Sequence, residues 1–354
     1  MIPLFVELCA GTAALSIRLH GGKNARPPVS RMGNKQGYAS AILRCLGLRS
    51  GSGAARYLWC EPDDGCRLLL TSYTDAELKS KAAEIIRGWR DENPRKLWDR
   101  LRAEGPVKAP PADPREVARW IRLVTANRLI NVGPDFKNTG QGGSTHGGES
   151  FCTTIPELLD ALDRVPDHLP ASILPDARAV DPREVARWCL DTAWSIGNAA
   201  GNGGFKNPYG GLSGSGRVDC LTINGMQERF DALPTIPASI LPDARAVEPP
   251  QLPPGSVVII DPPYLGHLGE HPTTGYAHSL PRADVLTMAR RWSDAGAWVV
   301  ICECAPIVEL EGWHVVEITG ERIGQKRVFS KQQREYLTMS RPPAWRPAVQ
   351  NTLF

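Results

Sequence analysis

Short apolar runs punctuate the chain at Pro3–Leu8, Arg56–Cys60, Val218–Ile223, Ser256–Ile260, Ala297–Cys302 and Trp313–Ile318. Each has the length and content of a buried strand. Asp75–Trp89 and Ala283–Trp292 read instead as helices, as does the shorter Tyr38–Leu43. Buried strands alternating with helices predict an α/β fold: a mostly parallel sheet with helices on both faces.

The middle of the chain is duplicated. Asp113–Trp120 recurs verbatim as Asp181–Trp188, and Ala171–Val180 recurs as Ala238–Val247, which defines two units, 113–180 and 181–247. Two units are too few for a stacked solenoid, so this is a segmental duplication within one protein. Each unit opens with a helix-start signature: Asp113 (Asp181) as cap, Pro114 (Pro182) at the first helical position, and Glu116 (Glu184) placed to reach back to the cap amide. The tryptophans Trp120 and Trp188 that follow read as core packing. Glycine-rich loops come next, Thr139–Gly148 and Gly197–Gly216, where only irregular backbone is plausible. The tail from Arg341 is proline-rich and reads as extended.

Composition narrows the class without naming a function. The chain has 354 residues, 41 Lys plus Arg against 38 Asp plus Glu, and 42% hydrophobic residues, which is ordinary for a globular protein of about two domains. No apolar run is long enough for a spanning helix, and Met1–Val6 lacks the basic leader of a signal peptide. Nine scattered cysteines with no C-x-x-C pair predict a reducing compartment, without a disulfide framework or a zinc site. A net charge of +3 does not announce nucleic-acid binding, so any such surface must be local.

Candidate chemistry lies where the strands end. The first strand runs into Glu7-Leu-Cys-Ala-Gly-Thr-Ala-Ala14, a small-residue turn that lets a cofactor approach the backbone at a helix N-terminus. The second strand ends at Glu61, an acid at the position that commonly accepts hydrogen bonds from a ribose. Ser256-Val-Val-Ile-Ile-Asp-Pro-Pro-Tyr264 puts Asp261 at the carboxyl end of a central strand. Pro262 and Pro263 remove two amide donors and leave carbonyl acceptors beside the carboxylate. That set suits an exocyclic amine with two hydrogens to donate, and Tyr264 can stack on the ring that carries it.

On these residues the chain resembles the amino-methylating DNA methyltransferases, in particular the Dam-like adenine-N6 family, in which Asp-Pro-Pro-Tyr is the catalytic loop. The resemblance implies a Rossmann-like S-adenosylmethionine-dependent core with an inserted, mainly helical and loop-rich DNA-recognition domain. It makes Asp261, Pro262, Pro263 and Tyr264 catalytic, and assigns the cofactor S-adenosylmethionine to Glu7, Cys9, Ala10, Gly11, Thr12, Lys35, Glu61 and Asp261. Cys9 stands where the family has phenylalanine, and Ala13 where it has the second glycine of the cofactor loop. Met32-Gly-Asn-Lys35 resembles the family's Gly-x-Lys segment, which normally precedes that loop and here follows it. Phe205-Lys-Asn-Pro-Tyr-Gly210 resembles the glycine-rich stretch of the recognition domain, so Phe205, Lys206, Asn207, Tyr209 and Arg217 are the expected DNA contacts. Gly275-Tyr276 and the Arg-Glu-Tyr-Leu of Lys326–Leu337 resemble later core segments.

The implied division is a catalytic core of 1–112 and 217–340, an inserted target-recognition region of 113–216 and a tail of 341–354. The implied function is site-specific methylation of a flipped-out adenine in double-stranded DNA, with no metal and no membrane, in the cytoplasm of a prokaryotic or phage-infected cell, with or without a partner restriction nuclease. RNA adenine methylation, N4-cytosine methylation and a catalytically silent DNA-binding relative stay open as alternatives. The target sequence and the oligomeric state are not legible.

Overall fold

In the computed structural model the chain is described over residues 2–29, 35–104, 180–194, 222–241, 243–250, 252–263, 280–323 and 334–347. Seven strands form one sheet: β1 (Ile2–Leu8), β2 (Ala54–Cys60), β3 (Ala238–Leu241), β4 (Val257–Ile260), β5 (Trp298–Glu303), β6 (His314–Glu317) and β7 (Tyr336–Met339). Their order is β3-β2-β1-β4-β5-β7-β6. The first five run parallel, and β7 inserts antiparallel between β5 and β6. This strand order is that of the class I S-adenosylmethionine-dependent methyltransferase fold, so the α/β class expected from the sequence holds.

Alternation along each strand builds two cores. Leu4, Val6 and Leu8 of β1, Leu58 of β2, Val258 and Ile260 of β4, and Val299 and Ile301 of β5 face one side. There they meet Val285, Met288, Ala289 and Trp292 of helix α8 (Arg282–Asp294). Phe5, Tyr57, Trp59, Ile259 and Val300 face the other side. That side is covered by α1 (Ala14–Gly21), α2 (Ala39–Cys45), α3 (Asp64–Thr74), α4 (Ala76–Gly88), α5 (Pro94–Ala103), α6 (Pro182–Trp194) and α7 (Ile223–Ala232). Fully burying one such side chain stabilises by about 1.5–3 kcal/mol, so a two-sided sheet holds its central strands firmly.

Helix α6 shows what the second copy of the repeat does. Asp181 caps it as the sequence suggests, its Oδ1 accepting the Arg183 amide at 2.8 Å. Glu184 does not turn back to the cap; it accepts from Arg187 Nη2 at 2.6 Å, because a buried guanidinium is the stronger partner. Arg183 forks onto Glu104 at 2.6 and 2.7 Å, tying α6 to the end of α5. Trp188 and Trp194 are buried in the same core cluster as α3 and α4. Trp188 lies so close to Gly65 that a β-carbon there would sit 1.9 Å from the indole. Helix α6 falls inside the stretch 113–216 and is nonetheless built into the core layer. The second repeat anchor, from Ala238, supplies the edge strand β3.

One strand expectation fails in its described part. Ile223 does not end a strand; it opens α7, because Thr222 Oγ1 accepts the Gly225 amide at 3.1 Å and caps a helix there. Residues 218–221 lie outside the described residues. The tail from Arg341 has no regular structure through residue 347. It is strapped to α2, with the Arg44 guanidinium 3.3 Å from the Trp345 ring centre and the Ala344 amide donating to the Cys45 carbonyl at 2.7 Å. Among the described residues no helix is long and apolar enough to cross a membrane, and Cys9, Cys45, Cys60, Cys66, Cys189, Cys302 and Cys304 are free thiols.

Candidate active site

Three strand ends meet at the carboxyl edge of the sheet, the side on which open α/β sheets bind ligands. Register aligns them: Leu8 pairs with Cys60 on one side and with Ile260 on the other. The residues that follow stay on the ladder. Ala10 donates its amide to the Cys60 carbonyl at 2.8 Å, Asp261 to Leu8 at 3.1 Å, and Glu61 to Leu241 at 2.7 Å. The Cys9–Ala13 turn, Glu61 and Asp261, far apart in sequence, thus become neighbours held by backbone hydrogen bonds.

The turn after β1 is built from left-handed residues: Cys9 at φ 67°, Gly11 at φ 54° and Ala13 at φ 50°. Left-handed backbone costs an L-residue on the order of 1–2 kcal/mol, and such strain clusters at functional sites. Ala13 has the left-handed conformation that glycine would favour. At Gly11 a β-carbon would meet nothing within 4 Å, so the backbone faces open space. Its amide donates to Glu61 Oε2 at 2.7 Å, while Glu61 Oε1 accepts the Asp63 amide at 3.1 Å. The β1 turn is thereby fastened to the end of β2. Thr12 and Ala10 are buried within the turn.

Glu7 lies beneath this turn. Its Oε1 accepts both the amide of Ser16, at 2.9 Å, and its hydroxyl, at 2.5 Å, and Trp59 Nε1 donates to the same Ser16 Oγ at 2.8 Å. Burial pushes the Glu7 carboxyl up to about 7, outweighing the two Ser16 donors that pull it down. Folded protein therefore binds more protons than unfolded protein between the ordinary glutamate range and about pH 7, so stability falls as pH rises across that window. Glu303, at the end of β5, is pushed in the same direction to about 7 by burial. We expect Glu7→Gln, which keeps the acceptor for Ser16 and removes the charge, to flatten the fall in melting temperature between pH 4.5 and 7, leaving the Glu303 share. An unchanged slope would show that Glu7 does not titrate there.

Asp261 is ion-paired to a buried lysine. Lys35, on a 3-10 turn (Lys35–Gly37) between α1 and α2, places Nζ 2.5 Å from Asp261 Oδ1 and 3.6 Å from Glu335 Oε1. Lys35 and Glu335 are buried, while Asp261 keeps 18% exposure. Pro262 is buried and Pro263 half-buried behind it. Of the sequence candidates, Glu7, Cys9, Ala10, Gly11, Thr12, Lys35, Glu61, Asp261, Pro262 and Pro263 come together at one sheet edge. Tyr264 and the expected DNA contacts Phe205, Lys206, Asn207, Tyr209 and Arg217 lie outside the described residues.

Sequence reasoning gave no role to Glu303 or Glu335. Glu303 ends the apolar run Trp298–Cys302 as Asp261 and Glu61 end theirs, a signal that was available. Glu335 lies in the Arg-Glu-Tyr-Leu stretch that resembles a later core segment, but nothing there pointed to Lys35.

This donor set fits S-adenosylmethionine, which carries a cationic sulfonium, an ammonium group and a ribose diol. Asp261 and Glu335 flank Lys35 with two carboxylates against one ammonium, and Glu61 offers a carboxylate beside an open glycine turn for ribose hydroxyls. Among the described residues no cluster of His, Cys, Asp and Glu is arranged to hold a metal ion. No family model and no curated protein matches the sequence. Strand order therefore carries the assignment by itself: this is the fold of an S-adenosylmethionine-dependent methyltransferase, and the carboxyl edge of β1, β2 and β4 is its candidate cofactor site.

Proposed function

We propose that the protein is a Dam-like, site-specific DNA adenine-N6 methyltransferase. The observation that carries this reading is Asp261-Pro262-Pro263 leaving the central strand β4 beside the glycine turn of β1, with the Asp261 amide on the Leu8 carbonyl. When bound, S-adenosylmethionine supplies an electrophilic methyl group. The chain supplies position. Asp261 and the Pro262 carbonyl accept the two hydrogens of the target amine, which aims the nitrogen lone pair at the methyl carbon, and Asp261 takes the proton that the nitrogen sheds as it gains carbon. Holding two reactants in line supplies much of the acceleration. A base inside a duplex cannot reach this edge, so it is extruded at a cost of a few kcal/mol, with Tyr264 as its stacking platform. Glu7, Gly11 and Glu61 hold the cofactor. In this reading the inserted region 113–216, with Phe205 to Gly210 and nearby Arg217, meets the DNA.

The test is the identity of the product. Duplex DNA incubated with the protein and labelled S-adenosylmethionine should yield N6-methyladenine and no methylated cytosine. Recovery of N4-methylcytosine as the main product would overturn the substrate, and a preference for RNA over duplex DNA would move the reading to RNA adenine. Failure to bind S-adenosylmethionine in calorimetry would leave a silent DNA-binding relative.

A further inference from the structure

We propose that Glu335 is a positioning residue for methyl transfer, acting on Asp261 through Lys35; this rests on the methyltransferase reading above. Lys35 Nζ stands between two carboxylates, 2.5 Å from Asp261 Oδ1 and 3.6 Å from Glu335 Oε1. The two differ in kind. Glu335 is fully buried and locked from both sides of its backbone: its amide donates to Thr319 Oγ1 at 2.9 Å, and its carbonyl accepts the Ile318 amide at 2.8 Å. Asp261 is partly exposed and stands at the carboxyl end of β4, where the proposed reaction needs an acceptor for the amine. One partner of the ammonium is therefore fixed and the other must work.

The consequence follows from the cost of a buried charge. An ammonium that is only 4% exposed needs a counter-ion at all times. When Asp261 turns its oxygens to the amine hydrogens, its hold on Lys35 weakens, and the ammonium stays neutralised only if a second carboxylate is already in place. Glu335 is that carboxylate, brought in by the antiparallel strand β7 next to β5. Glu303 and the Cys302 thiol on β5 face the same group and feel its field, as the Lys35 pull on both shows. Without the charge of Glu335, Lys35 is drawn harder onto Asp261, and Asp261 becomes a poorer acceptor for the amine. The cofactor contacts at Gly11 and Glu61 lie on other strands and are untouched.

The experiment compares wild type, Glu335→Gln, Glu335→Asp, Lys35→Met and the double variant K35M/E335Q, using duplex DNA free of methyladenine and tritiated S-adenosylmethionine. E335Q should lower kcat about tenfold to a hundredfold, the range expected when a reacting group is misplaced. Its KM for DNA and its calorimetric affinity for S-adenosylmethionine should stay near wild type. E335D, which keeps the charge, should recover most of the loss. The double variant should turn over no more slowly than K35M, because Glu335 acts through Lys35. Should E335Q alone fail to fold, the double variant removes the buried pair together, a change often tolerated, and its comparison with K35M still decides. Full activity in E335Q, a loss carried by KM, or a further fall from K35M to the double variant would overturn the assignment while wild type remains active. An inactive wild type would instead overturn the methyltransferase reading.

Discussion

Asp261→Ala should reduce methyl transfer on the order of 10³-fold, the scale on which removal of one group acting on a reacting atom is felt. Binding of S-adenosylmethionine should change only by a small factor. The two effects separate because the Asp261 amide, which fastens β4 to β1, is untouched, and because the contacts among Gly11, Glu61 and Asp63 sit on the other side of the turn. Lys35 keeps Glu335 as a partner in the variant. Asp261→Asn should be nearly as damaging: its carbonyl oxygen can still accept one amine hydrogen, but a neutral amide cannot take the proton that the nitrogen sheds. Filter-binding turnover assays beside calorimetry would measure both quantities. Near-normal turnover in Asp261→Ala would end the catalytic assignment.

Trp188→Ala should cost about 3–5 kcal/mol of folding stability, as expected for emptying a buried indole site. The site cannot collapse easily, since Gly65 is already in contact with the ring and α6 is anchored by Arg183 on Glu104. Trp120→Ala, in the identical octapeptide of the first copy, leaves the slot against Gly65 filled by Trp188 and serves as the matched control. Denaturant titration of the two variants distinguishes them. Equal losses would mean that the two copies share the slot. A small loss in Trp188→Ala alone would mean that α6 contributes little to the core.

Much of this fold was legible because burial is written in composition. Strands β1, β2, β4, β5 and β6 coincide with apolar runs, and α4 and α8 with their helical patterns. β3 was hidden: Ala238-Ser-Ile-Leu is four residues long, half of them small, and stood out only as a repeat anchor. β7 was equally short. The helices α3 and α5 announce themselves through caps more than through periodicity: Asp63 and Asn93 each accept an amide three residues on, and Pro94 begins α5. Thr222 is the reverse lesson, where a capping hydroxyl beside apolar Ile223 read as strand. At the site, Asp261 and Glu61 were readable because they end strands. The Lys35–Glu335 pair was not, because nothing local in either segment records that the two are neighbours in space.

The rungs that end the sheet are also the first contacts of the site, since Ala10, Glu61 and Asp261 all give their amides to a neighbouring strand. Assembly of the sheet therefore fixes the backbone of the site before any ligand arrives, and little chain entropy remains to be lost on binding. The same coupling makes the pocket a strain gauge for the strands beneath it. A substitution in the body of β2 or β4 that shifts either strand by a fraction of an ångström moves Glu61 or Asp261 by the same amount, so a mutation distant from the cofactor can register there as weakened binding.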